Sequence, residues 1–238
     1  MMEDKLLFVL MYLRKATTPD IFGEVFHMPQ PVANKWIHVL HSCLNVALGD
    51  LGEIPARGVV DLQLVSVEGP LYFQDGTERP IQRPKDPEAQ RTFYSGKKKR
   101  PTVKNITITE KRTKKVKGLG RTQAGKKHDK AATDEEGYRF PKDSKLWKDL
   151  GFQGYEPEHT TTYQPKKKPK GGELTVAEKE HNRVISRERI GIEHSLGGVK
   201  VFRIVHDIYR NHKQQFEDLI METACGLHNL RLDFPLTA

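Results

Sequence analysis

The hydrophobic period of this chain changes twice, and that constrains its fold more than any single residue does. Over residues 3–48 apolar residues recur at helical spacing. Leu6, Leu7, Leu10 and Leu13 mark a first helix, Ile21, Phe22, Val25 and Phe26 a second, and Val32, Trp36, Ile37, Leu40, Leu44 and Leu48 a third. Thr17-Thr18-Pro19 divides the first two, with Thr as N-cap and Pro at the first helical position. Met28-Pro29-Gln30-Pro31 divides the second from the third. A connector follows at 49–69, closed by Gly69-Pro70, and the pattern then turns to strands. Strands are predicted at 71–75, 92–94 and 103–109, with 115–120 as hairpin partner of the last across the turn Glu110-Lys111-Arg112-Thr113. Residues 145–149 form a further short strand. Two long helices complete the chain. The first covers about 175–196 and stops at Gly197-Gly198; the second covers about 212–230, with Phe216, Leu219, Ile220, Thr223, Ala224, Leu227 and Leu230 on one face. This order predicts an α/β (α+β) protein: a mixed sheet flanked by helices over 70–234, a small all-helical domain over 1–50, and a linker over 51–69.

Several classes are excluded early. No apolar run approaches the ~20 residues of a membrane span. The apolar stretch from Leu6 to Leu13 follows Glu3, Asp4 and Lys5 and precedes no small-residue cleavage site, unlike a secretory signal. The two cysteines, Cys43 and Cys225, form no ligand cluster, which suits a reducing compartment.

The net charge of +9 is unevenly spread. Residues 97–130 hold 14 Lys and Arg against Glu110 and Asp129, a net of +12, so the remainder sums to −3. A block of this kind neutralises phosphates and releases counterions, making nucleic acid the first partner to consider. A solvated loop is the plainer alternative. A second basic loop, Pro-Lys-Lys-Lys-Pro-Lys-Gly-Gly, occupies 165–172. The three amino-terminal helices resemble a helix-turn-helix module, with Gln30, Asn34, Lys35 and His38 as exposed polar residues of the recognition helix. A generic three-helix cap has the same pattern.

Three acids stand out by position. Asp75 closes the first strand before Gly76, Asp149 closes a later one before Leu150-Gly151, and Glu193 lies in a long helix. Carboxylates from two strand ends and a helix can converge. Oxygen-only ligands select hard cations such as Mg²⁺. Two such ions ~3.5–4 Å apart stabilise both the attacking and the leaving oxygen of an in-line displacement at phosphorus. Asn182, Ser186, Arg189 and Glu193 make one polar stripe on their helix, either its wet face or the wall of a site.

Four segments together resemble a known family: Asp-Gly-Thr-Glu-Arg-Pro (75–80), Tyr-Ser-Gly-Lys-Lys-Lys-Arg (94–100), Gly-Lys-Lys-His-Asp-Lys (125–130) and Glu-His-Ser-Leu-Gly-Gly-Val-Lys (193–200). They look like a DDE-superfamily transposase of the bacterial insertion sequences related to Harbinger elements. The resemblance implies an RNase H-like catalytic domain in which Asp75, Asp149 and Glu193 are the catalytic acids. Lys-Asp-Leu-Gly-Phe at 148–152 resembles the family's Asp-x-Gly-Tyr, and His128-Asp129 its His-Asp, which makes Asp129 an additional candidate metal ligand. Arg189, Glu193 and Lys200 match the family's signature around the Glu, whereas Ser186 stands where that signature has Tyr. Arg189 and Lys200 are thereby implied to hold DNA backbone, alongside Lys97, Lys98, Lys99 and Arg100, with Asn34 and Lys35 in the helix-turn-helix. The resemblance further implies a divalent metal, Mg²⁺ with Mn²⁺ as a substitute, and DNA as partner: terminal inverted repeats and target. It also implies a homodimer or larger assembly on DNA, and a place on the bacterial nucleoid in the cytoplasm. The alternative is a catalytically inactive DNA-binding protein on a transposase-derived scaffold.

Overall fold

The computed structural model describes residues 2–57 and 70–234; most of the expected linker lies outside the described residues. Helices α1 (Met2–Lys15), α2 (Pro19–Val25) and α3 (Gln30–Asp50) form where the apolar spacing calls for them, with prolines in the first turns of α2 and α3. Phe8, Tyr12 and Leu13 of α1, Phe22 of α2, and Ala33 and Ile37 of α3 share one apolar cluster with residues of the carboxy-terminal helix, Phe216, Ile220 and Ala224 among them. Each large side chain buried this way contributes about 1.5–3 kcal/mol. The amino-terminal helices are therefore packed onto the body that carries the sheet.

The sheet is mixed. Strand β1 (Ala56–Arg57) pairs parallel to β5 (Val116–Leu119). Strand β5 is antiparallel to β4 (Arg100–Glu110), which is antiparallel to β2 (Leu71–Pro80). Strand β2 runs parallel to β7 (Ser144–Trp147), and β7 parallel to β8 (Thr160–Tyr163). The spatial order is β1-β5-β4-β2-β7-β8, with the short β3 (Tyr94–Ser95) and β6 (Gln123–Ala124) added on β4. Helices cover both faces. Tyr72, Ile106, Ile108 and Leu146 cluster with Ala132 of α5 (Asp129–Glu136), whereas Phe73 and Trp147 cluster with Ile185 of α6 (Val176–Lys200). Alternation along β2 thus sends even-numbered side chains towards α5 and odd-numbered ones towards α6 and α7 (Phe216–Asp233). On the odd face Arg79 is 1% exposed. It donates to the Glu217 carbonyl (3.0 Å), Asn105 Oδ1 (2.8 Å) and Thr122 Oγ1 (3.2 Å), tying β2 and β4 to α7.

Four local expectations are corrected. Residues 92–94 are not a strand: α4 (Pro87–Phe93) runs to Phe93, started by Asp86, whose carboxylate accepts from the Ala89 N–H at 2.7 Å. Strand β2 does not stop at Asp75 but continues to Pro80, because β4 pairs with it along that length. Helix α6 does not stop at Gly197-Gly198 but runs through to Lys200. A Cβ on Gly198 would lie 2.5 Å from His228 Nδ1, so that glycine serves a close crossing of α6 on α7. His38 is not a free polar residue of α3; its ring lies 4.4 Å from that of Phe216. Among the described residues no helix is long and apolar enough to cross a membrane.

Candidate active site

Strand register puts two of the predicted acids side by side. Strands β2 and β7 pair Leu71 with Lys145, Tyr72 with Leu146 and Phe73 with Trp147. Continuing that offset of 74 residues sets Asp149 level with Asp75. At this point β7 has ended and Asp149 caps a 3-10 turn (Leu150–Phe152), its Oδ1 accepting from the Gly151 N–H at 2.7 Å. Asp75 remains inside β2, held on its other side by antiparallel pairing with Thr107 of β4. The end of β7 therefore opens a notch in the sheet beside Asp75.

Asp75 faces α6. Arg189 of that helix brings its guanidinium to 3.6 Å from Asp75 Oδ1, longer than a hydrogen bond. Burial pushes the Asp75 pKa up to about 6, with Arg189 opposing the rise and Asp149 adding to it. Lys200, at the end of α6, senses Asp75 as a favourable charge and Lys98 as an unfavourable one; burial lowers its pKa. Lys98 lies with Lys97 and Lys99 in the exposed turn between β3 and β4, and Arg100 opens β4. That turn is closed by Ser95, whose carbonyl accepts from the Lys99 N–H (2.8 Å) and whose hydroxyl accepts from the Lys98 N–H (3.1 Å). Charges far apart in sequence thus surround one carboxylate pair.

Of the two remaining predicted acids, Glu193 points away from that pair and Asp129 lies against the turn beside Asp149. Glu193 lies one turn beyond Arg189 on α6 and is exposed. Asp129 begins α5, and its Oδ1 accepts from Lys104 Nζ at 2.7 Å. Among the described residues no group of three or more His, Cys, Asp and Glu side chains is close enough to hold a metal ion. The donor set at the notch is two carboxylates. That fits a hard divalent cation of the Mg²⁺ kind, which takes one or two carboxylates and fills its shell with water and substrate phosphate. Asp75 is a half-buried carboxyl beside a second one, and its one near cation, Arg189, stands at 3.6 Å without a hydrogen bond, a setting that a divalent ion would suit.

Asn34 and Lys35 are exposed on α3. Asn182 of the polar stripe has a different use: it accepts from the Lys166 N–H (2.7 Å) and donates to the Lys166 carbonyl (3.0 Å), pinning the basic loop to α6. Two lysines escaped sequence reasoning. Lys148, next to Asp149, has no exposed surface; it donates to the Tyr155 carbonyl and to Glu156 Oε1. Lys104 is buried in the middle of β4. Its signal was present, a lysine at a core position of an alternating strand, but the surrounding basic block masked it.

Comparison with known proteins finds a family and a relative. Residues 74–229 match the family described as DDE superfamily endonuclease. The whole chain is similar to the "Probable transposase for insertion sequence element IS702" of Microchaete diplosiphon, 30% identical over 230 residues that cover 97% of this chain and 80% of that one.

Proposed function

We propose a division of labour that starts from membership: the chain belongs to the DDE superfamily endonucleases and is an insertion-sequence transposase, a metal-dependent nuclease with DNA as its partner. In our reading Asp75 and Asp149 hold Mg²⁺, or Mn²⁺ in its place, and Glu193 completes the donor set once DNA is bound. The ion, when bound, supplies Lewis-acid polarisation of the scissile phosphate and an acidified water. The side chains do the rest. Arg189, whose buried Nε has no hydrogen-bond partner among the described residues, and Lys200 draw the scissile phosphodiester to the notch. Lys97, Lys98, Lys99 and Arg100, with the loop at 165–172, track the neighbouring phosphates. Asn34 and Lys35 on α3 read the terminal inverted repeats.

The proposed reaction cuts one strand at the element's tip by hydrolysis. The freed 3′-hydroxyl then attacks a target phosphodiester, one P–O bond forming as another breaks, with no covalent enzyme intermediate. Joining two ends to one target calls for two copies of the chain on DNA, so we assign the active form as a homodimer or larger assembly, working on bacterial DNA in the cytoplasm.

The observation that carries this reading is the Asp75–Asp149 pair flanked by Arg189 and Lys200. The test uses purified protein, Mg²⁺ and duplexes bearing the element's own ends. Asp75→Asn and Asp149→Asn should each reduce cutting by about 10³-fold, the scale of removing a preorganised electrostatic group, with DNA affinity retained. Undiminished cutting by Asp75→Asn would remove the assigned role.

A further inference from the structure

We infer that Asp129 is a positioning residue for Asp149, not a metal ligand, and that Lys104 neutralises it in that role. The inference rests on reading Asp75 and Asp149 as the metal-holding pair. Its starting point is the place of the Asp129 carboxylate, wedged against two backbones. A Cβ on Gly76 in β2 would lie 3.1 Å from Asp129 Oδ1. A Cβ on Gly151 would lie 2.5 Å from Asp129 Oδ2 and 2.9 Å from Asp149 Oδ1. Approaches this close are sterically forbidden to a side chain, so glycine at 151 lets both carboxylates flank the same turn. The Gly151 N–H then fixes Asp149 from one side while Asp129 blocks the turn from shifting to the other.

The pleat explains why Asp129 buttresses the pair without joining it. Gly76 and Lys104 lie on the α5 face of the sheet with Asp129, and Asp75 points to the α6 face. The middle of α5 is secured to that face by Gln74, whose Nε2 donates to Thr133 Oγ1 at 3.0 Å. A third anion beside Asp75 and Asp149 would repel both. Lys104, its side chain only 7% exposed, cancels it through a 2.7 Å ion pair. A lysine at so buried a strand position is retained only with such a partner.

The test is a double-mutant cycle on the full chain with Lys104→Gln and Asp129→Asn, which together leave a neutral hydrogen-bonding pair. Each single variant should cut about 10–100-fold more slowly, the usual cost of removing a group that orients a metal ligand. DNA affinity should stay unchanged. The double variant should recover to within about threefold of wild type, because the two losses share one interaction. Mn²⁺ binding to the DNA-free protein, followed by electron paramagnetic resonance, supplies the second readout. Asp129→Asn should lose clearly less affinity than Asp75→Asn, which removes a donor itself and should lose about tenfold or more. A double variant as slow as Asp129→Asn, or Mn²⁺ affinity that falls as far in Asp129→Asn as in Asp75→Asn, overturns the inference. If wild type neither binds Mn²⁺ nor cuts, the functional reading fails on its own, and melting temperatures still judge the pair. Single variants that melt below the double variant support it; equal melting overturns it.

Discussion

Carried two residues past its last pair, Phe73 with Trp147, the offset between β2 and β7 sets Asp149 level with Asp75, and the two carboxylates sense each other's charge. Asp75 is kept in line by β4 after β7 has ended. Two carboxylates meet where β7 ends beside β2, the opening that in our reading takes the phosphodiester. This geometry has consequences that can be measured away from catalysis as well as in it.

Arg79 should be the costliest single residue to lose from β2. Methionine in its place removes three hydrogen bonds, to the Glu217 carbonyl, Asn105 Oδ1 and Thr122 Oγ1. At roughly 1 kcal/mol for each broken bond, Arg79→Met should lower unfolding stability by about 3 kcal/mol in urea. Arg79→Lys keeps the charge but not the planar fork, and should fall between.

The paired glycines of α6 should respond in opposite directions. Around Gly197 a Cβ would meet nothing within 4 Å, so Gly197→Ala should stabilise the helix by about 0.5–1 kcal/mol. At Gly198 the same methyl would press on the His228 ring and on Arg231, and Gly198→Ala should cost about 1–3 kcal/mol. Two thermal unfolding curves decide the matter; a stabilising Gly198→Ala would contradict the crossing described above.

Acid should weaken the packing of α3 on α7. The His41 ring is buried 5.1 Å from that of Phe216, and burial pushes its pKa from 6.5 down to about 4. The folded protein therefore takes up this proton less readily than the unfolded chain. Above pH 6.5 both states are neutral and the full stability is present. As pH falls below 6.5 the unfolded chain protonates first, and stability is lost until about pH 4, levelling at about 3 kcal/mol. His38 and His228, also lowered by burial, add in the same direction. Urea midpoints taken from pH 7 to pH 4.5 should fall, and His41→Gln should flatten that slope. An unchanged slope in the variant would exclude His41 as a source.

The turn at Lys97, Lys98 and Lys99 should contribute affinity without sequence preference. Replacing all three with Gln should weaken binding alike on element ends and on unrelated duplex. The log–log salt slope should also fall by about 0.9 for each phosphate no longer neutralised. Asn34→Ala with Lys35→Ala should instead narrow the gap between those two duplexes. Anisotropy titrations between about 50 and 200 mM salt separate the two behaviours.

The amino-acid sequence by itself determined the elements whose signals are local. Apolar spacing placed α1 to α3 and the two long helices, and alternation placed β4 and its hairpin partner β5. Asp75 and Asp149 are legible as acids next to glycines on strand-like runs, though β2 carries on past Asp75. Helix α4 also had a local signal, Asp86 before Pro87, but a three-residue alternation at 92–94 outweighed it. Packing between distant segments decided the rest. The length of β2 follows from its pairing with β4, the passage of α6 through Gly197 and Gly198 from its crossing on α7, and the burial of Lys104 from the arrival of Asp129. None of these is encoded in a window of neighbouring residues. Register between strands and the approach of one helix to another are set only when the whole core closes, and the same closure made two acids 74 residues apart into neighbours.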